Sequence, residues 1–326
     1  MGRGKSESSL RLVEAAHDIL SEIHPATVRA VCYQLFIQGL IDSMSKANTN
    51  KVSTQLVWAR EHDEVRWDWI VDESREVERA GTWDNPGAFI EAAKRSYRRD
   101  AWQQQPIRLQ VWSEKATVRG TVAPTLTKYG IDFQIYHGYG SATSVHDAAL
   151  DSREGDPLKA FYIGDYDASG LHMSKVDLPR RLERYGGSVE IIRLALNRSD
   201  IRSENKLPWF PLSSKRKDPR YGWYKETTGL DRCWELDALS PVVLRERLEN
   251  AILAEIDLAA WERMKACEKA EQESLAACLD VWNKITASAK PRPRQGWTRV
   301  AFQNLIRGLP RNRKAANRKE SDRKGQ

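Results

Sequence analysis

The sequence predicts an α/β plus α chain, on three observations. Between residues 106 and 198, short apolar strand-like runs alternate with amphipathic helical ones; the stretches on either side are mostly helical in period. A hydrophobic fraction of 40% with 12 Trp in 326 residues supplies apolar surface for two or three folded domains.

Residues 1–77 read as a small helical domain. The run "SLRLVEAAHDILSEI" has helical spacing and stops at Pro25, and Thr27 is placed to cap a second helix, "TVRAVCYQLFIQGLI". After a polar turn, "SKANTN", a third helix is expected over "KVSTQLVWAREHDEV", followed by the strand-like "RWDWIV". Three helices and then a strand pair is the order of a winged helix-turn-helix, whose last helix enters the DNA major groove; it is also the order of a plain three-helix domain. On that last helix Lys51, Gln55 and Arg60 are candidates to face DNA, and a solvated face accounts for them equally well.

Residues 78–105 read as a turn-rich linker, "ERAGTWDNPG", and a helix, "AFIEAAKRSYRRDAWQQQ". In 106–198 the strands "IRLQVW", "DFQIYHG", "KAFYIG" and "SVEIIRLAL" alternate with helices. Such a βαβ series implies a mostly parallel, Rossmann-like sheet with its functional edge at the carboxyl ends of the strands. Residues 199–233, rich in charge, Pro and aromatics, read as an irregular excursion. Residues 234–287 read as two long charged helices, the main one entered through Ser240 and Pro241.

The formal charge of +7 is unevenly placed: residues 288–326 hold 12 Lys/Arg against Glu320 and Asp322, a net +10 that leaves −3 on residues 1–287. A basic tail of this kind contacts a polyanion or keeps a protein in solution. The cysteines at 32, 233, 267 and 278 form no CxxC pair, which suits a reducing compartment. The N-terminal helix carries Glu14 and Asp18 within its apolar pattern, unlike a signal peptide, and no run reaches the roughly 18 apolar residues of a membrane span. The expectation is a cytoplasmic protein without a membrane partner.

The chemistry concentrates at two strand exits. Glu114 follows "IRLQVW", and Asp165 and Asp167 follow "KAFYIG". In a parallel sheet both exits lie on one edge, so the three acids can converge, where they repel unless protons or a cation intervene. An all-oxygen set without His or Cys suits a hard cation, Mg²⁺ with Mn²⁺ able to substitute. Capping of the next helix by the aspartates, with Glu114 as an ordinary polar strand end, is the structural alternative.

A Glu ending the first strand, with a later apolar strand ending in D-x-D, resembles the Toprim domain of topoisomerases, bacterial primases and some nucleases. Within that group "ATVRAVCYQLFIQGLI" resembles the winged-helix segment of topoisomerase VI A subunits and their meiotic break-forming relatives. The likeness covers about residues 20–195. It implies that Tyr33 attacks DNA beside Arg29, that Glu114, Asp165 and Asp167 hold the metal, and that a homodimer brings each tyrosine to the other subunit's metal site. Double-stranded DNA is then the partner, and a separate ATPase subunit a further one. Ala168 stands where the family often has Pro, and Cys32 where it commonly has an aromatic. No P-loop occurs in the chain, so the resemblance implies DNA cleavage and rejoining, not ATP-driven strand passage.

The residues support that chemistry on their own terms. A tyrosine hydroxyl with a pKa near 10 needs help to lose its proton, and Arg29, four residues before Tyr33, lies on the same helix face. Set among Val31, Leu35 and Phe36, Tyr33 also fits as a core aromatic. Lys115, next to Glu114, is a further candidate for DNA contact. His137, Gly138, Gly140 and Ser141 could form a phosphate-facing turn, and Glu235 and Asp237 in "WELDAL" could be additional acids or helix-start carboxylates. Three rivals stand beside the transesterase: a Toprim nuclease that uses water, a non-enzymatic winged-helix DNA-binding protein with a degenerate Toprim scaffold, and a D-x-D phosphatase. The last is disfavoured because that chemistry wants its nucleophilic Asp on the first strand.

Overall fold

The structure, a computed structural model, describes residues 5–71, 82–136, 139–153, 157–202 and 205–288. It divides into a larger unit, Met1–Trp83 with Ser96–Glu273, and a smaller one, Asp84–Arg95 with Ser274–Gln326.

The N-terminal part of the larger unit is three helices: α1 (Glu7–Ile23), α2 (Val28–Ile37) and α3 (Lys46–Glu61). Each begins on a hydroxyl cap, from Ser6, Thr27 and Ser45, that accepts a backbone N–H three residues on. Ser45 thereby starts α3 five residues before the expected point, and the polar "KANTN" becomes its first turn. Thr49 and Thr54 turn their hydroxyls back onto the Ser45 and Asn50 carbonyls, so these polar residues remain compatible with helix. Leu20, Val31, Leu35, Val52 and Leu56 meet in a common core.

The expected strand pair is absent among the described residues. "RWDWIV" instead forms a single 3₁₀ turn, Trp67–Trp69, because Arg66 pairs with Asp68 across it and Trp67 stays 59% exposed, leaving no apolar face to pair. Only Ile70 makes a bridge, to Ala26. Residues 72–81, where a second strand and the start of the linker would fall, lie outside the described residues.

The helix expected over 88–105 is broken. It ends in α4 (Pro86–Ser96) and resumes as a 3₁₀ turn, Ala101–Gln104. Glu268 takes the Arg99 N–H and Asp100 caps Trp102, whose ring is buried; these side-chain partners replace the helical ones. The smaller unit contains α4 to Arg95, entered through an Asn85 cap on Ala88, and the end of the last described helix from Ser274.

The sheet has four strands, β1 (Arg108–Ser113), β2 (Asp132–Ile135), β3 (Leu158–Ile163) and β4 (Val189–Ala195), all parallel in the order β2-β1-β3-β4. Strand alternation sends Leu109, Val111, Phe161 and Ile163 to one face, where α5 (Val118–Tyr129) and α10 (Pro241–Glu255) cover them. It sends Trp112, Ala160 and Tyr162 to the other, against α6 (Ala142–Asp151) and α8 (Leu178–Arg184). The result is a Rossmann-like sheet between two helical layers. Between α7 (Ala168–His172) and α8 one turn, Met173–Asp177, is π-helical, and the widened turn accommodates Pro179, which has no N–H to offer the preceding turn.

The expected excursion is more ordered than its composition suggested. Residues 199–233 hold a 3₁₀ turn, α9 (Tyr221–Thr228) and a short antiparallel pair of β5 (Phe210–Pro211) and β6 (Arg232–Cys233). Leu212, Tyr224 and Cys233 anchor it in the core under the sheet edge. After α10 the chain ends its described part in α11 (Leu258–Ser288); apart from Ser288, the basic segment lies outside the described residues.

Candidate functional site

The strand order sets the location of the site. From β1 the chain moves outward to β2 and then returns to the other side of β1 to form β3, so the crevice at the carboxyl ends of β1 and β3 is the topological switch point of the sheet. Glu114 leaves β1 at this point, and Asp165 and Asp167 leave β3. One Glu114 carboxylate oxygen accepts the Asp165 N–H at 3.0 Å, which ties the two exits together.

Each aspartate is fixed by the backbone and by a lysine. Asp167 caps α7 by accepting the Gly170 N–H at 2.8 Å, and its other oxygen meets Lys215 Nζ at 3.0 Å. Asp165 accepts the Leu236 N–H at 2.7 Å and meets Lys115 Nζ at 2.7 Å. The capping role foreseen as the structural alternative is therefore present for Asp167. Gly170 is required here, because a Cβ would stand 2.6 Å from the Asp165 carbonyl oxygen and 2.8 Å from Glu114. Beneath the turn, the partly buried Arg193 of β4 donates to the Gly164 carbonyl at 2.9 Å, the Gly170 carbonyl at 3.1 Å and the Asp165 carbonyl.

Electrostatics mark the cluster as crowded with negative charge. Burial, then Asp165 and Asp167, push the Glu114 carboxyl up to about 7. Burial likewise raises Asp165, against the pull of Lys115. Lys115 is held protonated despite its burial because Asp165 and Asp237 flank it. Expected at DNA, Lys115 is instead an internal bridge: its Nζ also meets Asp237 at 2.9 Å.

That bridge leads to the tyrosine. Arg29 Nε donates to Glu235 at 2.7 Å and lies 3.8 Å from Asp237, and its guanidinium sits 5.6 Å from the centre of the Tyr33 ring. Tyr33, Arg29, Glu235 with Asp237, Lys115 and Asp165 thus form one continuous chain of contacts within a single molecule. Tyr33 is 5% exposed, and burial followed by the Glu235 charge raises its hydroxyl well above the usual range, with Arg29 opposing.

The remaining candidates are placed as follows. Lys51 is exposed on α3; Gln55 accepts from Lys5; Arg60 stacks on Trp67, with its guanidinium 4.9 Å from the ring centre. At 3.6 residues per turn Lys51 and Gln55 share a face, whereas Arg60 is on the opposite one, so the three do not form a single reading surface. Ser141 caps α6 and Gly140 adopts positive φ against the Tyr136 ring; His137 and Gly138 lie outside the described residues. Sequence reasoning left Glu235 and Asp237 aside and missed Lys215 and Arg193. The acid-x-acid spacing of "WELDAL" was the available signal for the first pair; nothing in "SSKRKDPRYG" distinguishes Lys215 from its basic neighbours.

Glu114, Asp165 and Asp167 bring carboxylate oxygens to one crevice, where the Asp165 N–H and Lys115 only partly offset the charge on Glu114. Among the described residues, however, no three His, Cys, Asp or Glu side chains are drawn together as a ligand group; lysines occupy the aspartates. Comparison with known protein families, with curated proteins and with solved structures finds no match. No helix among the described residues is long and apolar enough to cross a membrane.

Proposed function

We propose that this chain is a Toprim-like DNA-cleaving protein, resembling a compact topoisomerase VI A subunit, in which Tyr33 attacks a phosphodiester of double-stranded DNA. The observation that carries the reading is the contact chain from Tyr33 through Arg29, Asp237 and Lys115 to Asp165 at the switch point of the sheet. Glu114, Asp165 and Asp167 would hold Mg²⁺ or Mn²⁺ once Lys115 and Lys215 give way. Such a cation supplies Lewis-acid stabilisation of phosphate charge.

The chain's own residues do the rest. Glu235, held beside Tyr33 by Arg29, is the carboxylate placed to take the tyrosyl proton, and Arg29 offsets the charge on the oxygen as it attacks. The new bond joins Tyr33 Oη to phosphorus as the bond from phosphorus to the sugar oxygen breaks, and that oxygen leaves as a hydroxyl with a proton drawn from water, Glu235 returning the tyrosyl proton to solvent. Two copies in a homodimer would cut the two strands, each tyrosine acting with the acids of its own chain rather than with those of the other subunit as the resemblance implies, and a separate ATPase subunit would be needed for strand passage.

One observation favours a second reading. Tyr33 is almost wholly buried, so unless α2 shifts on DNA, water is the more accessible nucleophile and the protein is a hydrolytic nuclease. Supercoiled plasmid incubated with Mg²⁺ or Mn²⁺, denatured in detergent and run with and without protease separates the two. The transesterase gives linear DNA that enters the gel only after proteolysis, and Tyr33→Phe abolishes it. The nuclease gives cut DNA indifferent to protease and to Tyr33→Phe, while Glu114→Gln removes cleavage in both cases.

A further inference from the structure

One surface of the larger unit is unused by this reading. A groove of about 800 Å³ runs between the end of α2 and the 201–234 segment. Phe36, Ile37, Trp234 and Trp209 are among its lining, and Trp209 has half of its surface exposed. The Arg232 guanidinium lies 4.3 Å from the Trp209 ring centre. Among the described residues the lining is basic: Arg202, Lys206 and Arg232 stand against one acid, Asp231, which is 3.9 Å from Arg232 and open to solvent.

An exposed indole flanked by a guanidinium and a further ammonium, over an apolar wall, matches the chemistry of a nucleotide whose base has left the stack. Duplex DNA hides its base faces and offers such a groove only phosphate. The groove also continues from the candidate site: Phe36 and Ile37 follow Tyr33 by three and four residues on α2, one helical turn away, and Trp234 precedes Glu235. We propose that this groove binds an unstacked nucleotide of single-stranded DNA, with its base on Trp209 and its phosphate between Arg232 and Lys206. The proposal shares with the function above the premise that DNA is the ligand, and does not need the cleavage step.

The test uses the full chain in EDTA, so that no cleavage intervenes. Binding of a fluorescein-labelled oligothymidylate is compared with that of a duplex of equal length, for the wild type, Trp209→Ala and Trp209→Phe. Trp209→Ala is expected to weaken single-strand binding about tenfold, equivalent to about 1.4 kcal/mol, while duplex binding changes by less than about twofold and Trp209→Phe retains most of the affinity. A wild-type crosslink with an iodouracil-substituted single strand, mapped by peptide sequencing, should fall on Trp209, and this arm needs no variant to fold. Equal affinity for Trp209→Ala, absence of single-strand binding, or crosslinks confined elsewhere overturns the proposal. So does a Trp209→Ala protein that changes only in sedimentation, which would assign the groove to a second copy of the chain. A protein that crosslinks at Trp209 yet leaves plasmid intact refutes the cleavage reading alone; one that cleaves plasmid but binds single strands normally after Trp209→Ala refutes the groove alone.

Discussion

Glu114 makes the clearest prediction at the scale of single residues. Its folded-state value of about 7 exceeds its ordinary 4.5, so the folded state binds this proton more tightly than the unfolded chain does. The associated stability is fully present below pH 4.5, falls as pH rises, and is gone above about 7; linkage sets its size at about 3 kcal/mol. Glu114→Gln, neutral throughout, should therefore gain thermal stability relative to the wild type as pH rises from 5 to 7.5 in EDTA, and a gap between the two that stays constant with pH would contradict the burial-and-repulsion account. Arg193 predicts the opposite sign. Arg193→Met removes the guanidinium that donates to the Gly164, Asp165 and Gly170 carbonyls, of which Gly164 keeps the Leu196 N–H and Gly170 the Ser174 hydroxyl, and should cost roughly 1–3 kcal/mol in chemical denaturation. Neither effect could be read beforehand in full: Glu114 was visible as an acid at a strand exit, but Arg193 sat in "SVEIIRLAL" beside Ser188 and Glu190 in a mostly apolar strand, with nothing to show which carbonyls lay beneath it.

Among elements, the β3–α7 turn is the most exacting. Gly170→Ala brings a methyl onto the Asp165 carbonyl and Glu114, with no flexible side chain to yield at the first of them, and should cost about 1–3 kcal/mol. Gly222→Ala in α9 meets open space and should be neutral or stabilise by up to roughly 1 kcal/mol, which makes it the matched control in the same melting experiment. The turn itself was legible, because the apolar run "AFYI" ending at "GD" reads as a buried strand and its exit. "RWDWIV" was not, since an aromatic run scores as strand whether or not a neighbour exists to pair with it; Arg66 and Asp68 closing a salt bridge over the turn decided otherwise. The start of α3 was missed for the converse reason: "KANTN" has turn composition, and only the Ser45 cap with the back-bonded threonines shows that it can carry helix.

For the whole molecule, the decisive feature is one that periodicity cannot supply, the order β2-β1-β3-β4, which turns two separate strand exits into one crevice. The same holds for the approach of residues 235–237 to α2, made across some two hundred residues of chain. Arg245 of α10 fastens that approach from behind, donating to the Ile23 carbonyl at 3.1 Å, the His24 carbonyl at 3.2 Å and the Pro25 carbonyl at 3.3 Å, and to the Thr121 carbonyl of α5 at 3.4 Å. Arg245→Leu should cost on the order of 2–4 kcal/mol and loosen the N-terminal helices first, seen as earlier hydrogen exchange in α1 and α2 than in the sheet. The central claim is that Tyr33, through this arrangement, becomes joined to DNA. The most direct measurement is to stop a cleavage reaction in detergent, digest protein and nucleic acid, and search the peptides by mass spectrometry. A nucleotide attached to the peptide containing Tyr33 is the predicted result, and cleaved DNA with that peptide unmodified would contradict it.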